Sequence, residues 1–356
     1  MKTPVGFTPR RYGLYGTVCA AAALMFVLTT TSLTSGDEPQ ETPERGLSLV
    51  SQEDVWRLLP PCEHGSDQPV PDWVRVLVTS MPYTTASMLE LDTIYRTSEE
   101  LNPAFRARLR WVAAHENGCQ YTRRYAESDM KRAGMSVDQV AQFTAGEFAL
   151  SSEESRALQF VRDLTRRAYR ITDEQFSALS ADFGERGAMA IVLQTAYASF
   201  QDRMMQTLGV AVEPQGPLAP LDVRFTPPGT DQKITMSRPE IPDAATLPAP
   251  VLEIPEDWRS AFSIEQLNEG MKKQKAKRER ISIPEWEVVQ PRIPQHIYPV
   301  KKPVRIRWSL CVLGHQPILG AAWLRTMRVW GRESGSDSIF NESLFWVVTR
   351  NLQCFY

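Results

Sequence analysis

The chain has 356 residues, a formal net charge of −2 and 42% hydrophobic residues, enough for about two domains with packed cores. So small a net charge supplies no strong field, and no nucleic-acid partner is expected. Five cysteines without a CxxC and four histidines without an HExxH give neither a disulfide framework nor metal-ligand spacing, and no cofactor or metal is implied.

At the N-terminus, Lys2, Arg10 and Arg11 precede Leu14 to Leu33, a stretch of twenty residues without a charge, and the acidic, Pro-containing run "TSGDEPQETPE" follows. A basic region, an apolar core and a polar flank are the parts of a signal peptide or an uncleaved anchor. Residues 1–36 are therefore read as a targeting segment or membrane anchor. The positive-inside bias places the bulk of the chain outside the cytoplasm after one membrane crossing at most.

Residues 46–210 read as an all-α bundle. The expected helices are 51–59, with Ser51 as a cap, 70–81, and 82–96, with Pro82 near its start. A long helix over 102–134 is expected to end at Gly134. Segments 136–146, 151–170, 172–184 and 185–209 follow, punctuated by Ser152, Thr172 and glycines. Leu77, Leu89, Leu109, Val112, Phe160, Leu193 and Tyr197 are expected in the core, and Ala188 to Phe200 in the middle of the bundle.

Residues 211–303 hold fifteen of the 26 prolines, which exclude any long regular element, so they are read as a linker with short embedded elements. Residues 304–356 repeat the earlier unit. Shifted by 235 positions and without a gap, Pro71 to Tyr121 lies on Ile306 to Tyr356 with ten of 51 positions identical. Trp73 meets Trp308, Pro82 meets Pro317, Trp111 meets Trp346 and Cys119 meets Cys354. The four tryptophans are read as core positions. The second copy covers only the first part of the unit, and about fifty residues bury little surface alone. It is expected to pack on the first copy, to pack on another chain, or to stay poorly ordered.

The repeat resembles the carboxymuconolactone decarboxylase family, which includes the alkylhydroperoxidase D-like proteins. The resemblance covers residues 68–210 and 304–356, and it implies an all-helical, commonly homo-oligomeric protein. The family's peroxidase branch carries Glu, eleven residues, Cys, two residues, Cys, three residues, His. In such a motif a thiolate attacks a peroxide, the resulting sulfenic acid closes to a disulfide, and Glu and His relay protons. By this resemblance Glu342 and Cys354 match the Glu and the first Cys in copy two. In copy one Cys119 matches the first Cys, whereas Ala107, Thr122 and Ala126 stand at the Glu, second Cys and His positions. His115, four residues before Cys119 on the same expected helix, is placed to contact it, so the two are read either as a pair with some reactivity or as a buried cysteine and a satisfied histidine. Three readings follow: a thiol-dependent peroxidase using a thiol reductant and a small peroxide, with its intact site in copy two; a non-catalytic helical assembly or binding module; and a decarboxylase or lyase of the same family.

Overall fold

A computed structural model describes residues 48–64, 68–226, 263–276, 278–300, 302–335 and 338–351. It is predominantly helical, as the all-α reading expects. The segment Leu14 to Leu33 lies outside the described residues, and none of the described helices is long and apolar enough to cross a membrane.

Copy one begins with α1 (Gln52–Leu58), whose cap Ser51 accepts from the Asp54 amide at 3.0 Å. A short strand β1 (Cys62–His64) is followed by α2 (Asp72–Leu77), α3 (Pro82–Thr97), α4 (Pro103–Glu116), α5 (Gln120–Arg132), α6 (Val137–Ala145), α7 (Ser152–Arg167) and α8 (Asp173–Leu208). Ser151, not Ser152, caps α7, and Thr172 with Gln175 forms a capping box on α8. Gly184, at φ 67°, breaks α8 where the sequence places a helix end.

The single helix expected over 102–134 is instead two. Gly118 takes φ 69°, a left-handed conformation that ends α4 and turns the chain before α5. Of the expected core residues, Leu89, Leu109, Val112, Phe160 and Tyr197 are buried, while Leu77 and Leu193 are half-buried.

The Pro-rich region is less of a linker than its composition suggests. Leu221, Val223 and Phe225 alternate inward in extended chain and complete the copy-one core. Strand β2 (Arg224–Phe225) pairs antiparallel with β1. Proline excludes long helices here but not the burial of an extended segment. Helix α9 (Ile264–Ala276) and the short α10 (Trp286–Val289) follow, and Val289, Ile293 and Tyr298 build a second small core under copy two.

Copy two is α11 (Arg307–His315), α12 (Pro317–Glu333) and α13 (Ser338–Asn351). The first residues of α2, α3 and α4 fall on those of α11, α12 and α13 under the same shift of 235 positions. The residues before α3 and α12, Met81 and Gln316, share φ/ψ near −143°/66° and −133°/68°. The matched helices thus keep the gapless register of the sequence match.

Of the three placements open to copy two, the structure shows packing on copy one. Helices α3 and α12 run antiparallel. Glu333 accepts from the Tyr83 and Thr84 amides at 3.0 and 2.6 Å, capping α3 from the other copy. Ser87 meets Thr326 at 3.0 Å, and Glu90 pairs with Arg325, its own counterpart in the repeat. A position that faces its counterpart marks a local twofold. Two identical helices would set like charges together there, and the diverged copies place a glutamate against an arginine.

The matched tryptophans differ in their surroundings. Trp73 and Trp111 are buried, Trp308 is half-buried and Trp346 is 52% exposed. Trp111 is covered by Glu127 of α5 and Phe143 of α6, elements without a copy-two counterpart among the described residues.

Candidate functional site

The turn at Gly118 decides the fate of the cysteine. Asn117 and Gly118 close α4, so Cys119 becomes the residue capping α5. Cys119 and His115 therefore do not share a helix, and the pair expected from their spacing is not formed. His115 stacks on Trp111, with ring centroids 4.9 Å apart, beside an open groove lined by Phe143, Phe148 and Arg162. Cys119 lies in the opposite core with Tyr121, Tyr125 and Tyr197 and is 1% exposed.

A helix start stabilises a thiolate, but here burial outweighs it. Burial and then the nearby Asp202 charge push the Cys119 thiol up, against bonds from Thr122 and the Tyr121 and Thr122 amides. Where a resolving thiol would be required, the Thr122 hydroxyl donates to Asp202. Asn117 Nδ2 donates to the same carboxylate at 2.7 Å. Ala107 and Ala126 are both buried, as small core side chains. Glu342 is exposed on α13, and Cys354 lies outside the described residues.

Asp202 is a residue that sequence reading missed. It is fully buried, directly beyond the most apolar stretch of α8. Burial raises its pKa to about 6, opposed by its bonds from Asn117 and Thr122 and by Arg110 and Arg203. A carboxyl whose folded pKa exceeds its unfolded value binds its proton more tightly in the native state. Stability therefore falls as pH rises from about 4 to about 6, and the loss levels off above that window, at about 3 kcal/mol. Asp202→Asn keeps the hydrogen-bonding shape without the charge. Urea denaturation between pH 4.5 and 7 is expected to show this slope in the native protein and a flatter profile in the variant. Equal slopes would count against the assignment.

A second feature without a sequence signal is a cavity of about 170 Å³ among α3, α4, α5, α8 and Pro220. Arg96, Arg106, Arg110 and Arg132 line it with Asp129 and Tyr197. Arg96 is fully engaged, with bonds to Asp129 at 2.7 and 2.9 Å, to Asp92 at 3.2 Å and to the Leu218 carbonyl at 2.8 Å. Burial pushes the Asp129 carboxyl up, but its ion pairs with Arg96, Arg110 and Arg132 outweigh this and hold it below the usual range. Arg106 donates to the carbonyls of Arg96 and Ser98, and burial lowers its pKa.

Arg110 is different. Its Nη2 donates to Gln201, and the nearest oxygens of Asp92 and Asp129 stand 3.5 and 3.6 Å away. Its Nε and Nη1 find no hydrogen-bond acceptor among the described residues, although the side chain is only 6% exposed. No charge pattern marks this in the sequence, because the four arginines are spread over three helices.

Fold and site together define an all-α protein with a buried thiol outside any disulfide, Cys119, and an arginine-lined cavity among the helices of residues 46–210. No family model matches the chain, and no curated protein matches it.

Proposed function

We propose that the chain is a diverged, duplicated relative of the carboxymuconolactone decarboxylase family, and that its first unit is a non-catalytic helical binding module closed by copy two. The observation that carries this is the Thr122–Asp202 hydrogen bond beside a buried Cys119. A dithiol cycle requires a second sulfur within reach and a readily formed thiolate; Thr122 stands at the second position in place of a cysteine, and burial disfavours the Cys119 thiolate. Copy two covers the face of α3 by an intramolecular contact, which on this reading stands in for association with a second chain.

A second reading keeps a thiol peroxidase working through copy two, supported by the spacing of Glu342 and Cys354. One assay separates the two. The full chain is given an alkyl hydroperoxide with dithiothreitol as reductant, and peroxide consumption is followed. The binding-module reading expects no turnover above that of Cys119→Ser. Turnover abolished by Cys119→Ser would overturn it, and turnover abolished only by Cys354→Ser would establish the second reading.

A further inference from the structure

We infer that the cavity bordered by Arg110 is a binding site for a small oxyanion, a carboxylate or a phosphate. This names a ligand for the binding module proposed above, and it is read in a different assay from peroxide turnover, so either can fail alone.

A buried guanidinium with two N–H-bearing atoms lacking acceptors costs free energy unless something else accepts from them. In Arg110, Nε and Nη1 lack acceptors, and the residue borders a cavity with room for several water-sized groups. Nε and Nη1 stand on opposite edges of the guanidinium, with Nη2 held by Gln201, so each offers a single charged N–H to an oxygen of a carboxylate or phosphate.

The charge balance favours an anion as well. Arg96, Arg106, Arg110 and Arg132 stand against Asp129 on the cavity wall, with Asp92 behind them. Asp202, near enough to act on Arg110, adds a third negative charge when ionised. Four cations against three carboxylates leave a surplus positive charge, and Arg110 has the weakest pairing. The other orphaned arginine nitrogens include Arg108 Nε, but Arg108 does not border this cavity and is held by Glu154 at 2.6 Å.

The test is thermal unfolding of the full chain in sodium malonate, in sodium phosphate and in sodium chloride at matched ionic strength. A saturable rise in Tm of about 2 °C at tenfold over Kd is expected with malonate, phosphate or both, beyond the chloride control. A response to malonate alone identifies a planar carboxylate, and a response to phosphate alone identifies a tetrahedral anion. Equal behaviour in all three salts overturns the inference. Arg110→Lys keeps the charge but withdraws the Nε and Nη1 donors, and it is expected to remove the response. Ala107→Glu sets a carboxylate one helical turn before Arg110 on the same cavity wall. Because Ala107 is a small buried side chain, only the anion response of the folded variant is read, and it is expected to be lost, which keeps the test open if Arg110→Lys fails to fold. An anion response unchanged in either folded variant overturns the inference.

Discussion

Replacing Arg325 by glutamate is expected to destabilise the protein by about 3–5 kcal/mol, the effect of leaving a buried charge without its partner. Glu90 is 6% exposed, and burial raises its pKa while Arg325 opposes the rise. Glu90 also accepts from the Phe225 amide at 2.6 Å, so the pair ties α3, α12 and β2 together. Arg325→Glu sets two carboxylates at the position where the copies face each other. The double variant Glu90→Gln, Arg325→Met removes both charges while keeping an acceptor for Phe225. It is expected to recover most of the loss, since a neutral replacement of a buried pair is often tolerated. Urea denaturation of the single and double variants checks this. A single variant within about 0.5 kcal/mol of the native protein, the range of ordinary surface changes, would show that the α3–α12 seam is not held this way.

Arg96→Met is the second large effect, also about 3–5 kcal/mol. Arg96 pairs with Asp92 and Asp129 and donates to the Leu218 carbonyl, and its guanidinium lies 5.1 Å from the Tyr125 ring centroid. The substitution leaves Asp129 to Arg132 and a long contact with Arg110, and it leaves Asp92 with Arg110 as its remaining cation beside bonds from Tyr197 and Gln201. It also releases residues 217–220 from the cavity mouth, where Arg132 holds the Pro217 carbonyl at 2.7 Å. Loss of stability is expected with earlier proteolysis in the 211–226 segment, at Leu218 and Leu221, read by limited thermolysin digestion and mass mapping. Cleavage confined to other segments would separate the arginine from that role.

Most of the helical framework was legible because its signals are local. Ser51, Thr172, Pro82 and Gly184 each act within a turn of the helix end they mark. The repeat was legible because ten matched residues kept one gapless register, and the coincident helix starts are its structural counterpart. Gly118 was misread because a glycine amid helix-forming residues is tolerated or terminating according to tertiary context. The burial of Leu221, Val223 and Phe225 was hidden by surrounding prolines, a compositional signal that overrides a three-residue alternation. Asp202, Arg110 and the cavity depend on which helices meet, and no spacing along one helix encodes that.

The two copies are the centre of this account, and a cross-link between them tests it most directly. Ser87 and Thr326 meet at 3.0 Å across the α3–α12 seam, close enough for a pair of cysteines to bond. With Ser87→Cys and Thr326→Cys in one chain, mild oxidation is expected to give a disulfide between the peptides carrying residues 87 and 326, at the mass of a single chain. A disulfide found only between two chains, or none at all in the folded protein, would contradict the packing of copy two on its own copy one.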